Sequence, residues 1–166
     1  MSQPTTRAQF SLERTYAASL DEVWSLWTTK EGIESWWGPE GFEVTVRAID
    51  LQPGGELVYV MTAVRAQEIA FMKQAGMPLA TEARVTYTEV RPKTRLGYKT
   101  LADFVPGVEP YEVGTVVDLQ VVGEGVRMVL TFDAMHDAQW TEQARAGHES
   151  QLRKLDALLA ARGGRS

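Results

Sequence analysis

The chain has 166 residues, 44% hydrophobic and 23% charged, as expected of one globular domain. Its formal net charge is -5, and an acidic surface repels phosphate backbones, so no nucleic-acid partner is expected. It has no cysteine, which excludes disulfides, thiolate metal sites and thiol nucleophiles.

Residues 1–8 read as a loose arm with no apolar core of signal-peptide length. No run approaches the ~18 apolar residues of a membrane span. A cytoplasmic chain without a membrane span is the expectation. QFSLERTY (9–16) alternates and reads as a strand, with neither face purely apolar. Ser19, with Glu22 three residues on, is a capping-box pair. Leu20, Val23, Trp24 and Trp27 follow at helical spacing and form one stripe.

KEGIESWW adds a second short helical turn, broken at Gly38-Pro39. Trp36 and Trp37 thus stand at a corner. The expectation is that one ring packs inward while the other closes a rim, its indole N–H reaching water or a ligand. FEVTVRAID alternates, with Phe42, Val44, Val46 and Ala48 on one face. Pro53-Gly54-Gly55 is a turn. ELVYVMTAV is apolar on both faces and reads as a central strand.

Residues 66–76 change period. Ile69, Phe71 and Met72 suit a short helix, which Gly76 and Pro78 stop. Strand signals return in EARVTYTEV, TRLGYKTL, EVGTVVDLQVV and VRMVLTFDAM, the last two joined at Gly123-Glu124-Gly125 by a hairpin-length gap. From about Asp137 to Arg162 runs the longest helix, whose apolar face reads as Trp140, Ala144, Gly147, Gln151, Leu155 and Leu158. One domain spans 9–162, and 163–166 form a short tail. Consecutive strands with short turns make an antiparallel sheet, and the long helix is its cover.

The space between helix and sheet is the functional question. Gly147 costs about 1 kcal/mol relative to alanine inside a helix. Either it permits close helix–sheet contact, or it and Ala144 leave room for a ligand. His148 beside it reads as an interior histidine, an exposed one or a polar group in a pocket. His136 and His148 lie roughly 18 Å apart if they share one helix, so no metal site is assigned. His136 is read as helping to begin the helix. No serine has a G-x-S-x-G context, and the glycines match neither dinucleotide nor phosphate loops. No catalytic residue and no cofactor are assigned.

VWSLWTTKEGIESWWGPEGFEV, then DLQPGGEL, TEVRPKTRLGY and GHESQLRKLDALL, together resemble the Activator of Hsp90 ATPase homologue family of the START-like, or SRPBCC, superfamily. The resemblance covers about Phe10 to Leu159. It implies an α+β helix-grip fold: a curved antiparallel sheet of about seven strands around a long C-terminal helix, with two short helices after the first strand. It also implies a hydrophobic cavity between sheet and helix. The family's namesake is a eukaryotic co-chaperone whose partner-binding N-terminal domain has no counterpart in this sequence, so that role is not carried over. The helical segment near 66–76 departs from the short turn the family commonly has there.

The function expected is a binding module for a small hydrophobic or amphipathic ligand. The expected lining is Trp24, Trp36, Tyr59, Phe71, Met72, Tyr98, Phe104, Tyr111 and Trp140, with His148 as a polar contact. An enzyme acting on a bound apolar substrate is the alternative, with His148, Glu13 and Asp118 as titratable candidates. A protein-interaction or stress-response domain, or a homodimer using the inserted helix, is the third reading.

Overall fold

The computed structural model describes residues 8–38, 40–102 and 107–163. In chain order the elements are β1 (Gln9–Tyr16), α1 (Leu20–Thr28), α2 (Lys30–Glu34), β2 (Phe42–Ile49), β3 (Glu56–Ala63), α3 (Ala66–Gln74), β4 (Ala80–Arg91), β5 (Arg95–Ala102), β6 (Tyr111–Val122), β7 (Gly125–Asp133) and α4 (Ala138–Gly163). The strands form one antiparallel sheet in the order β1-β7-β6-β5-β4-β3-β2. α4 packs on its concave side through Leu152, Leu155 and Leu159. This is the helix-grip arrangement, with the expected pair of short helices and an extra helix between β3 and β4.

Local chemistry accounts for the boundaries. Ser19 Oγ accepts from the Glu22 amide at 3.1 Å and starts α1. Thr29 both ends α1 and caps α2, its hydroxyl accepting from the Gly32 amide at 2.9 Å. Asp137 does the same for α4, accepting from the Trp140 amide at 2.8 Å. In the turn between β2 and β3, Gly54 has a φ of +88°. A Cβ on Gly55 would lie 2.1 Å from the Asp50 carbonyl oxygen, so no larger residue fits there. No helix among the described residues is long and apolar enough to cross a membrane.

Three expectations need correction. First, β2 carries a bulge between Val46 and Ala48, so Ala48 leaves the inner face and is exposed. Second, the buried stripe of α4 runs through Thr141, Leu152, Leu155 and Leu159, with Ala144 and His148 half-buried along it. Gly147 lies off that stripe on an exposed flank, and a Cβ there would meet open space. The glycine therefore makes no room beneath the helix. Third, both corner tryptophans are interior. Trp36 is 0% and Trp37 4% exposed. The Trp36 indole donates to the Leu26 carbonyl at 2.8 Å, and its ring packs edge-on against Trp27 and Trp37. Neither ring closes a rim.

β4 and β5 separate along their length. They pair from Arg91↔Arg95 to Thr86↔Lys99, with a bulge between Tyr87 and Glu89. Beyond that pair, Ala80–Thr86 stays bonded to β3, and Thr100–Ala102 to β6.

Candidate functional site: an aromatic recess under the long helix

Alternation along the strands sorts side chains by face. Tyr98, Thr115, Phe132 and Phe10 occupy matched positions on β5, β6, β7 and β1 and point inward. Tyr87 on β4 continues this row opposite Tyr98. To one side of the row the inward residues are buried, among them Leu96, Val117, Leu130 and Leu12. To the other side, Thr100, Val113, Ala83, Tyr59 and Met61 are only half-buried. These are inward-facing residues of interior strands, so their exposure means the helix does not fill that end of the sheet.

A circuit of contacts runs around this end of the sheet. Trp37 meets Tyr59 edge-on at 5.4 Å and Tyr98 at 5.9 Å between ring centroids. Tyr98 pairs with Thr115, and Thr115 with Phe132, a span of roughly 10 Å at ordinary strand spacing. Phe132 lies 4.4 Å from the His148 ring. One turn further along α4, Gln151 accepts from the Gly38 amide at 3.2 Å, which returns the circuit to Trp37.

The corner is held to α4 by polar contacts. The Lys154 ammonium donates to the carbonyls of Trp37, Gly38 and Phe42 at 3.0, 3.2 and 2.9 Å. Ser150 Oγ accepts from the Glu40 amide at 2.9 Å, and Arg153 pairs with the Glu40 carboxylate at 2.9 Å. Desolvation holds the Lys154 pKa below its ordinary range.

The polar atoms around the recess are underused. The Trp37 indole N–H and the Tyr87 hydroxyl are buried with no hydrogen-bond partner. Among the described residues, no partner accompanies the Tyr59 hydroxyl or the His148 ring nitrogens either. Burial pushes the Tyr59 phenol up to about 12 and the His148 imidazole down to about 4. Burial also raises Tyr98, with the phenols of Tyr59 and Tyr87 adding to the effect. Both groups at the open end are thus neutral at physiological pH.

Of the residues expected to line a cavity, the fold brings Tyr59, Tyr98 and His148 into this circuit. Tyr111 and Trp140 form an adjoining cluster through His136, whose Nδ1 lies 2.8 Å from the Tyr111 hydroxyl and whose ring is 6.0 Å from that of Trp140. His136 thus anchors the approach to α4. Trp36 lies in the core with its N–H satisfied. Trp24 sits on α1, whose first turn is tied by Glu22 to Arg162 at 3.2 Å. Trp140 lies roughly 33 Å back along α4 from Arg162, so Trp24 and Trp140 do not share one small cavity. Met72 is buried on α3, while Phe71 is 66% exposed and faces outward, against the expectation that it lines a cavity. Phe104 lies outside the described residues.

The expected lining left out Tyr87, Thr115 and Phe132, whose shared feature is strand register, which local spacing does not reveal. Of the three titratable candidates, Glu13 and Asp118 point to the convex side, paired with Arg127 at 2.9 Å and Arg95 at 2.7 Å. Only His148 faces inward. Among the described residues no three His, Asp or Glu side chains converge as metal ligands would.

A separate open groove of about 420 Å³ lies by the C-terminal half of α4, lined by Arg14, Thr15, Tyr16, Ala17, Asp156, Leu159 and Ala160. Its polar groups are already engaged. Arg14 pairs with Asp156 at 3.2 Å, and the Tyr16 hydroxyl donates to Asp156 at 2.7 Å. It is therefore a poorer candidate than the aromatic recess.

Comparison with known proteins agrees with the architecture. A protein of Chromobacterium violaceum superposes with a TM-score of 0.72 at 22% identity, covering 91% of this chain and 96% of that one. The AHSA1 protein of Silicibacter pomeroyi gives 0.71 at 22% identity, covering 93% and 99%. A Staphylococcus epidermidis protein gives 0.70 at 17% identity, covering 98% and 95%. These likenesses establish the fold. No curated protein matches the sequence. The family model described as Activator of Hsp90 ATPase homolog 1-like protein matches residues 17–160, and the chain belongs to that family.

Proposed function

We propose that this chain is a binding module for a small hydrophobic or amphipathic molecule, held between the concave end of the sheet and α4. The observation that carries the reading is the incompletely buried inward face around Tyr59 and His148, bounded by Trp37, Tyr98 and Phe132. Apolar walls supply affinity by desolvation, and a few polar groups set orientation. A cytoplasmic setting accords with the absence of cysteine.

Native mass spectrometry after gentle purification, followed by fragment titration watched by NMR, tests this. The expected result is a co-purified mass, or shifts clustered at the Trp37 indole, Tyr59 and His148. A fragment set that leaves those signals unmoved contradicts it.

Two observations support secondary readings. His148 faces inward without a partner among the described residues, which places it for proton transfer with a bound apolar substrate, although burial makes it a weak base. The exposed Val64, Phe71 and Met77 around α3 suit a contact between two copies of the chain. Mass by light scattering across a concentration series tests the latter.

A further inference from the structure

Resting on the binding reading above, we propose that the recess selects uncharged ligands that carry a hydrogen-bonding group, such as a phenol, alcohol or ketone, held by the Tyr59 hydroxyl and the His148 imidazole, and that it rejects carboxylates and ammonium ions.

On the strands bordering the recess, alternation sends the ionised residues to the convex face. There Lys99 pairs with Glu112 at 2.8 Å, Arg95 with Asp118 at 2.7 Å and Arg127 with Glu13 at 2.9 Å. The described inward positions at this end include Tyr59, Met61, Ala83, Tyr98, Thr100 and Val113, and none is ionised at neutral pH. Arg14 is the inward-facing charge on β1, and it lies beyond Leu12, toward the other end of α4, already paired with Asp156.

Among the described residues, the charged side chains that hold the corner to α4 and α3 are already engaged. Lys154 is committed to three carbonyls. Glu40 is held by Arg153 and Ser150, and Glu68 pairs with Arg65. Among the described inward-facing residues, a carboxylate entering the recess would shed its water and meet no unpaired cation, and an ammonium ion would meet no unpaired anion. Either loss is uncompensated.

A neutral polar group fares differently. The Tyr59 hydroxyl both donates and accepts, and neutral imidazole has one donor and one acceptor nitrogen. Their ordinary charged forms are suppressed by burial, which keeps this complement fixed across physiological pH. A ligand hydroxyl or carbonyl would satisfy atoms that have no partner within the chain.

The test uses the intact chain at pH 7.5 with four naphthalene probes, namely 2-naphthol, 2-acetylnaphthalene, 2-naphthoate and unsubstituted naphthalene, and reads affinity by tryptophan quenching and calorimetry. The expected result is that naphthol and acetylnaphthalene bind at least tenfold more tightly than naphthoate. Tyr59→Phe should weaken naphthol severalfold and leave naphthalene unchanged. Naphthoate binding as tightly as naphthol overturns the charge selection and leaves the binding reading standing. Equal effects of Tyr59→Phe on naphthol and naphthalene overturn the assigned contact. Failure of all four probes to bind overturns both the selectivity and the binding reading for ligands of this size.

Discussion

The ammonium of Lys154 lies 3.0 Å from the carbonyl oxygen of Trp37, joining the middle of α4 to the corner that carries the tryptophan pair. The same nitrogen satisfies Gly38 and Phe42. One side chain thus joins three carbonyls, two in the corner and one at the start of β2. Lys154→Met keeps the length and removes the donor. It is expected to lower unfolding free energy by about 2 kcal/mol, since hydrogen bonds to charged groups are worth roughly 1.5–3 kcal/mol. Urea denaturation of the two proteins measures this.

His148 gives the fold an acid-side weakness. Its imidazole takes a proton near pH 4 when folded and near 6.5 when unfolded. Between those values the unfolded chain binds more protons, so stability rises with pH across the window. The contribution is complete above about pH 6.5 and lost as pH falls through 4. Its full size is about 3 kcal/mol. Urea midpoints at pH 7 and pH 4.5 should therefore differ less in His148→Phe than in the parent chain.

Tyr16 and Tyr87 are both buried, yet only one has a partner. The Tyr16 hydroxyl donates to Asp156 at 2.7 Å; the Tyr87 hydroxyl is unpaired. Tyr16→Phe is expected to cost about 1–2 kcal/mol, while Tyr87→Phe is expected to be neutral or to stabilise by up to about 1 kcal/mol. Thermal melts of the two variants, which differ from the parent by one oxygen each, give the contrast.

Gly147→Ala provides a test of the helix phase. The added methyl group meets open space, so the alanine preference of helices applies unopposed. The variant should gain about 0.5–1 kcal/mol. A loss of stability would mean that this flank of α4 packs against something.

Much of the fold was legible because its signals are local. The alternation of QFSLERTY matches β1 at both ends, the Ser19 hydroxyl caps α1, and Gly76 closes the α3 segment with a φ of +71°. The phase of α4 was not legible. Its first half offers one large apolar residue, Trp140, which lies beside the buried stripe, while the stripe itself carries Thr141 and His148. Tyr59, Tyr98 and His148 could be nominated as aromatic or titratable residues on suitable elements. Their meeting depends on Tyr98 facing Thr115 and Thr115 facing Phe132, a long-range register invisible to spacing. The unpaired state of Trp37 and Tyr87 is likewise a property of the assembled chain.

The parting of β4 from β5 divides the sheet into two leaves. One leaf holds β2, β3 and the first half of β4; the other holds β5, β6, β7 and β1, and the leaves are hinged where Thr86 meets Lys99. α4 grips the second leaf through Arg14 and Asp156, and grips the corner leading into the first through Lys154. On the binding reading proposed above, a small rotation about this hinge would widen the space beneath the helix without breaking either leaf's ladder, while the interior below Leu96 and Val117 stays shut.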